Sequence, residues 1–120
     1  MGVVGLGVVG SRVVRQLQSD GFAVAGDDAS VVVLATSSRQ LEIAGLLLER
    51  GQSVVTTTDD LTETRALLDL ETTAANHGAT LVVGATASPG LTGLLAAELA
   101  RRVDEVVAVV AEQAGAAGGR

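Results

Sequence analysis

The stretch Met1-Gly2-Val3-Val4-Gly5-Leu6-Gly7-Val8-Val9-Gly10-Ser11-Arg12-Val13-Val14 decides the fold. Val3 and Val4 form a short apolar strand. Gly5, Gly7 and Gly10 follow in the spacing G-x-G-x-x-G. Beyond them Val9, Val13 and Leu17 recur at helical spacing, with Arg12, Arg15, Gln16 and Ser19 on the other side. A glycine triplet between a strand and an amphipathic helix has a physical meaning that the spacing alone lacks. The first glycine permits a tight turn, the second lets a pyrophosphate approach the backbone, and the third lets helix and strand pack closely. The free N–H groups and the dipole of the helix start then favour an anion. Gly5, Leu6, Gly7, Val8, Val9 and Gly10 are therefore the expected contacts of a dinucleotide, NAD or NADP.

Outward from this turn, apolar runs alternate with helical patterns. Asp20-Gly21 ends the first helix, and Phe22 to Ala25 reads as a small strand. Val31-Val32-Val33-Leu34 lies at the centre of a buried strand over residues 30–35. Ser37 and Gln40 match a capping box, for a helix that runs to about Arg50 and closes at Gly51. Residues 53–57 read as a strand. Asp60 and Glu63 match a second capping box, opening a helix with the apolar stripe Leu67, Leu70 and Ala74 that ends at Gly78. Residues 80–84 read as a strand. Ser88-Pro89 looks like an N-cap followed by a proline in the first turn, and Leu91, Leu94, Leu95 and Leu99 are the expected buried face of that helix. Residues 105–111 read as a last strand. This alternation predicts an α/β fold, a Rossmann-type open parallel sheet with helices on both faces. Residues 1–112 are expected to form the binding domain and 113–120 a flexible Gly/Ala-rich tail.

The first half is abbreviated. Only about ten residues separate the first helix from the strand at Val31, too few for the usual strand, crossover helix and strand. The fingerprint also expects an acidic residue about twenty positions after the glycines, where it holds the ribose hydroxyls. Asp27 and Asp28 lie near that distance. Asp27 is well placed if Phe22 to Ala25 is the second strand; otherwise Asp28-Ala29-Ser30 is the polar approach to Val31.

Composition narrows the chemistry. The 120 residues suit one domain and are 48% hydrophobic, with Phe22 the sole aromatic. The core must therefore be built from Val, Leu, Ala and Ile. A net charge of −6 argues against nucleic acid. Without Cys, Lys or Tyr the chain has no thiolate, no Schiff-base lysine and no Tyr–Lys proton-transfer pair. Met1 leads into the first strand without a basic region, and the apolar runs are far too short to span a bilayer. A soluble cytoplasmic protein without a membrane partner is expected.

Thr36-Ser37-Ser38, Thr57-Thr58-Asp59-Asp60 and Ala85-Thr86-Ala87-Ser88 follow the carboxyl ends of predicted strands, where ligands of open α/β sheets bind. Thr36, Ser37 and Ser88 are expected to line the path of the ribose and nicotinamide, while capping also explains Ser37 and Ser88. For Asp60 capping is the preferred reading. Asp59 and Asp60 lack a nearby histidine or third carboxylate, so no metal site is expected. His77 is read as an exposed helix-end residue, and no catalytic residue is assigned.

The succession of the glycine turn, Val31-Val32-Val33-Leu34-Ala35-Thr36, Ser53-Val54-Val55-Thr56-Thr57 and Ser88-Pro89-Gly90-Leu91 resembles the N-terminal cofactor domain of the saccharopine dehydrogenase-like family, with its homoserine dehydrogenase and dihydrodipicolinate reductase relatives. The resemblance covers nearly the whole chain except the shortened part from Gly21 to Ser30. It implies NAD(P)-dependent hydride transfer to or from a small amino-acid-like substrate held by a following α+β domain, with oligomerisation open. The alternative is a non-catalytic nucleotide-sensing Rossmann module like those that regulate potassium transport.

Overall fold

A computed structural model describes residues 1–26 and 28–107, with Ser88 and Pro89 by their backbone path alone. Asp27 and residues 108–120, with the expected tail, lie outside the described residues. The chain forms an α/β structure around a four-stranded parallel sheet of order β1-β2-β3-β4. Its strands are β1 (Gly2–Val4), β2 (Val31–Leu34), β3 (Ser53–Thr56) and β4 (Leu81–Val82). The helices are α1 (Val8–Ser19), α2 (Gln40–Glu49), α3 (Leu61–Leu68), α4 (Glu71–Asn76) and α5 (Thr92–Ala100), and a π-helical turn, Ala87–Leu91, precedes α5.

Register divides the valines between two faces. Val32 lies beside Val54, and Leu34 beside Thr56. Val32, Leu34 and Val54 join Ala44 and Leu48 of α2, Leu67 of α3 and Ala74 of α4 in one buried cluster. Side chains alternate along a strand, so the row Val3, Val33, Val55 and Val82, aligned by the same register, belongs to the opposite face. Val33 is buried, whereas Val82 is exposed.

Three helices close in the same way. After α1, Gly21 N–H donates to the Gln18 carbonyl and Phe22 N–H to that of Leu17. Gly51 and Gln52 repeat the pair onto Leu48 and Leu47, and Gly78 and Ala79 onto Ala75 and Ala74. This is the Schellman pattern, which satisfies the last carbonyls of a helix from the backbone alone. The helix ends expected at Gly21, Gly51 and Gly78 are all present.

Several expected elements differ. Phe22 to Ala25 is not a strand, yet it runs along the outer side of β1: the Met1 amino group donates to the Ala23 carbonyl at 2.8 Å, and Ala25 N–H to the Met1 carbonyl at 2.8 Å. Two bonds around one residue align the segment but are too few for a ladder. On α1, Gly10 is buried and Val13, Val14 and Leu17 are half-buried, while Val9 is exposed. Ser37 does not cap α2; Arg39 does so, from a left-handed φ of 62° without a side-chain bond. Gln40 cannot serve a capping box there, because its amide is drawn into the interior.

Asp60 does cap α3, accepting from Glu63 N–H at 2.7 Å, but the Glu63 carboxylate accepts from Leu41 N–H rather than closing the box. The single helix expected from there to Gly78 is two, broken at Asp69-Leu70 by a short Leu70 N–H to Leu67 carbonyl bond. The break leaves Leu67 and Ala74 in the same core. Ser88 is not an N-cap, since it lies inside the π turn and α5 begins at Thr92. Leu91, Leu94, Leu95 and Leu99 are exposed and no residue of α5 is buried, because among the described residues the helix packs mainly on the π turn before it. Residues 105–107 are not strand, and 108–111 lie outside the described residues. Among the described residues no helix is long and apolar enough to cross a membrane.

Candidate functional site

All four strands are parallel, so their carboxyl ends share one edge of the sheet. The glycine turn follows β1 on that edge. Gly5 has a φ of 92°, a conformation that strains any residue with a Cβ. A Cβ there would also stand 2.7 Å from the Ala35 carbonyl oxygen and 2.9 Å from Thr36 N. Gly10 is as constrained, since its Cβ would overlap the Gly5 carbonyl oxygen. Two of the three glycines thus serve the protein's own packing, holding β1, the end of β2 and the first turn of α1 together.

Gly7 differs. It caps α1 with φ −69° and ψ −162°, an extended conformation open to any residue. A Cβ there would meet nothing within 4 Å. The fold therefore gives no steric reason for glycine at this position, where glycine also serves as a favoured helix N-cap. The space beside it faces the start of α1, which has neither a side-chain cap nor an acidic residue in its first turn. The first N–H groups of a helix have no partner within it, so this end presents donors to whatever occupies the space. Leu6, Val8 and Val9 around it are exposed.

The loop after β2 adjoins this turn. Ala35 N–H donates to the Val4 carbonyl at 2.8 Å, placing Thr36 beside Gly5. The Thr36 hydroxyl donates to the Ser38 carbonyl at 2.9 Å, and Ser37 is exposed beside it. The structure thus brings Gly5, Leu6, Gly7, Val8, Val9, Gly10, Thr36 and Ser37 to one place. Ser88 follows β4, two strands beyond β2 on the same edge. Asp27 lies outside the described residues; Asp28 is exposed.

Gln40, expected as part of a helix cap, is instead a structural residue of this edge. Its side chain is buried, its Nε2 donates to the Thr36 carbonyl at 2.7 Å, and its Oε1 accepts from Thr57 N–H at 3.0 Å. Thr57 in turn donates its hydroxyl to the Leu34 carbonyl at 2.9 Å. The ends of β2 and β3 are thereby locked to each other beside the glycine turn. A glutamine three residues after a serine reads as a helix cap, so the sequence carried no signal for this role.

Charge is sparse near the turn. At the start of α2 Arg39 donates two hydrogen bonds to the Glu42 carboxylate, which raises the guanidinium's pKa and holds the Glu42 carboxyl below its usual range. Both side chains are largely exposed, and they meet at 2.6 Å. His77 is exposed at the end of α4, where its Nδ1 lies 2.9 Å from the Thr73 carbonyl oxygen, as expected of a helix-end residue. No protein-family model matches the sequence, and no curated protein or solved structure matches it significantly.

Proposed function

We propose that the chain is a dinucleotide-binding module of Rossmann type that receives the pyrophosphate of NAD or NADP at Gly5, Gly7 and Gly10. The observation that carries this reading is Gly7. Its backbone is ordinary and the space where its Cβ would stand is open, so beyond its place as a helix N-cap the glycine leaves room for a ligand to approach the main chain. The glycine supplies the close backbone approach a pyrophosphate needs, and the uncapped start of α1 supplies the donors.

The topology supports the same place. From β1 the chain passes through α1 to Phe22–Ala25 on one side, then returns to β2 on the other. Beyond the end of β1 the connections therefore diverge, which is the crevice where open α/β sheets bind their ligands. Right-handed crossovers in opposite directions put α1 and α2 on opposite faces. Gly10 agrees with this, because its Cβ would lie 3.3 Å from that of Ala35, which alternates with the core-facing Leu34.

The family that the sequence resembles adds the chemistry. In a saccharopine dehydrogenase-like oxidoreductase the bound nicotinamide supplies hydride transfer to or from an amino-acid-derived substrate. This chain's part is to bind and orient the cofactor. Thr36 and Ser37 would stand beside it near the turn, and Ser88 further along the edge.

Calorimetric titration of NAD(H) and NADP(H) into the wild type and Gly7→Val tests the proposal. Saturable binding by the wild type, lost in a mutant of unchanged circular dichroism, is the expected result. Equal affinity in the folded mutant, or no binding by the wild type, would overturn it.

A further inference from the structure

Gln40 opens α2 with its side chain turned inward, only 1% exposed. Both ends of its amide are committed to backbone groups of other segments: Nε2 donates to the Thr36 carbonyl and Oε1 accepts from Thr57 N–H. The first partner belongs to the loop beside Gly5, the second to the end of β3. The β3 end is itself fixed, since the Thr57 hydroxyl donates to the Leu34 carbonyl and Ala85 N–H to the Thr56 carbonyl. The loop is the part that needs an anchor. Ala35 N–H on the Val4 carbonyl fixes where it starts, and the Thr36 hydroxyl on the Ser38 carbonyl fixes its shape but not its place. The backbone carries a second sign of constraint. Arg39, between loop and helix, is the one non-glycine residue with a positive φ among the described residues. Such a conformation persists where its surroundings over-determine it. The turn at Arg39 delivers Gln40 to the interior while the Arg39 side chain stays on the surface.

We infer that Gln40 is a positioning residue of the proposed dinucleotide site, holding Thr36 and Ser37 where they meet the ribose on the nicotinamide side of the pyrophosphate. The inference rests on the dinucleotide reading and adds to it a residue that touches no ligand. The chemistry of the position explains the amide. It faces a carbonyl on one side and an N–H on the other, so it calls for one donor and one acceptor at the end of a single side chain. An apolar side chain of similar bulk offers neither. The Thr36 carbonyl then needs another donor, and the loop must shift to find one. The glycine turn lies outside this bridge, because Gly5 and Gly10 are held by their own close packing. Loss of Gln40 therefore disturbs one half of the site and spares the other.

Calorimetric titration of NADH and of ADP into the full chain, wild type against Gln40→Leu, tests this. ADP carries both phosphates but no ribose on the nicotinamide side, so it reports on the turn without the loop. Gln40→Leu should lose about tenfold in NADH affinity, the scale of one hydrogen bond between site and ligand, and keep its ADP affinity within about twofold. A role in stability alone would move both affinities together or neither. Parallel losses, or unchanged NADH affinity in a folded Gln40→Leu, would therefore overturn the proposal while the dinucleotide reading stands. A wild type that binds neither ligand overturns that reading, and the proposal with it. Should Gln40→Leu not fold, the wild type carries the test by NMR. The side-chain amide resonances of Gln40 should shift on saturation with NADH and hold their place with ADP; equal responses to the two ligands would overturn the proposal.

Discussion

The carbonyl oxygen of Gly5 lies so close to the Cα of Gly10 that a methyl group on Gly10 would overlap it. Gly10→Ala must therefore push α1 off the end of β1 or bend the turn, and should cost about 3 kcal/mol, the upper part of the usual overpacking range. Gly7→Ala meets open space and should cost under about 1 kcal/mol, as an alanine replacing a glycine cap. Urea unfolding of both variants checks the contrast, and equal losses would contradict the division of roles among the glycines.

Gln40 bridges the Thr36 carbonyl and Thr57 N–H from inside the protein. Gln40→Leu preserves bulk but strands both backbone groups, so a loss of about 1–3 kcal/mol is expected in denaturant unfolding. The same variant should speed amide exchange at Thr57. A fully stable Gln40→Leu would show that the bridge is dispensable.

Leu67 is completely buried between α3 and the sheet. Leu67→Ala should cost about 2–5 kcal/mol. Leu68→Ala, one residue on and exposed, should stay within about 0.5 kcal/mol. Thermal or urea melts of the pair test the assigned face of α3.

The Glu42 carboxyl titrates below its ordinary range because Arg39 hydrogen-bonds and attracts its charged form. A depressed carboxyl contributes stability that is present above the unfolded value and lost as pH falls through the folded one. The pair is exposed and screened by solvent, so the titration rather than the melting temperature should reveal it. Carboxyl carbon shifts followed by NMR should show Glu42 moving up in Arg39→Gln. No movement would mean that the pair does not form in solution.

If Asp27 or Asp28 meets the ribose hydroxyls, NADH should bind more tightly than NADPH, because a carboxylate repels the 2′-phosphate. Asp27→Ser should narrow the difference. Preference for NADPH in the wild type would leave both aspartates as the polar approach to β2.

The alternation of strands and helices was legible because β2 and β3 carry continuous valine runs, and because glycine marks three helix ends without help from distant residues. The turn at Gly5–Gly10 was legible for the same local reason. What the sequence concealed depends on partners far along the chain. Gln40 looks like a cap until Thr57 is seen beside it. Phe22–Ala25 reads as a strand by composition, but Met1 alone aligns it. The leucines of α5 read as core by spacing, and spacing says nothing about which side of a helix finds a partner.

The three glycine-closed helix ends also give the molecule two unlike edges. Where α1, α2 and α4 finish, main chain bonds to main chain in one repeated pattern and the cap residues Asp20, Arg50 and His77 are exposed, while Gln52 donates its side-chain amide to the Ala29 carbonyl and the Ser53 hydroxyl accepts from Thr80 N–H further in. At the opposite edge the loops are tied by particular side chains, Thr36, Gln40 and Thr57 among them. Substitution and labelling are therefore best tolerated at the exposed cap residues of the first edge. A fluorophore at Asp20 or His77 would report on the molecule from a position remote from the glycine turn, while the same probe among the threonines would disturb what it was meant to observe.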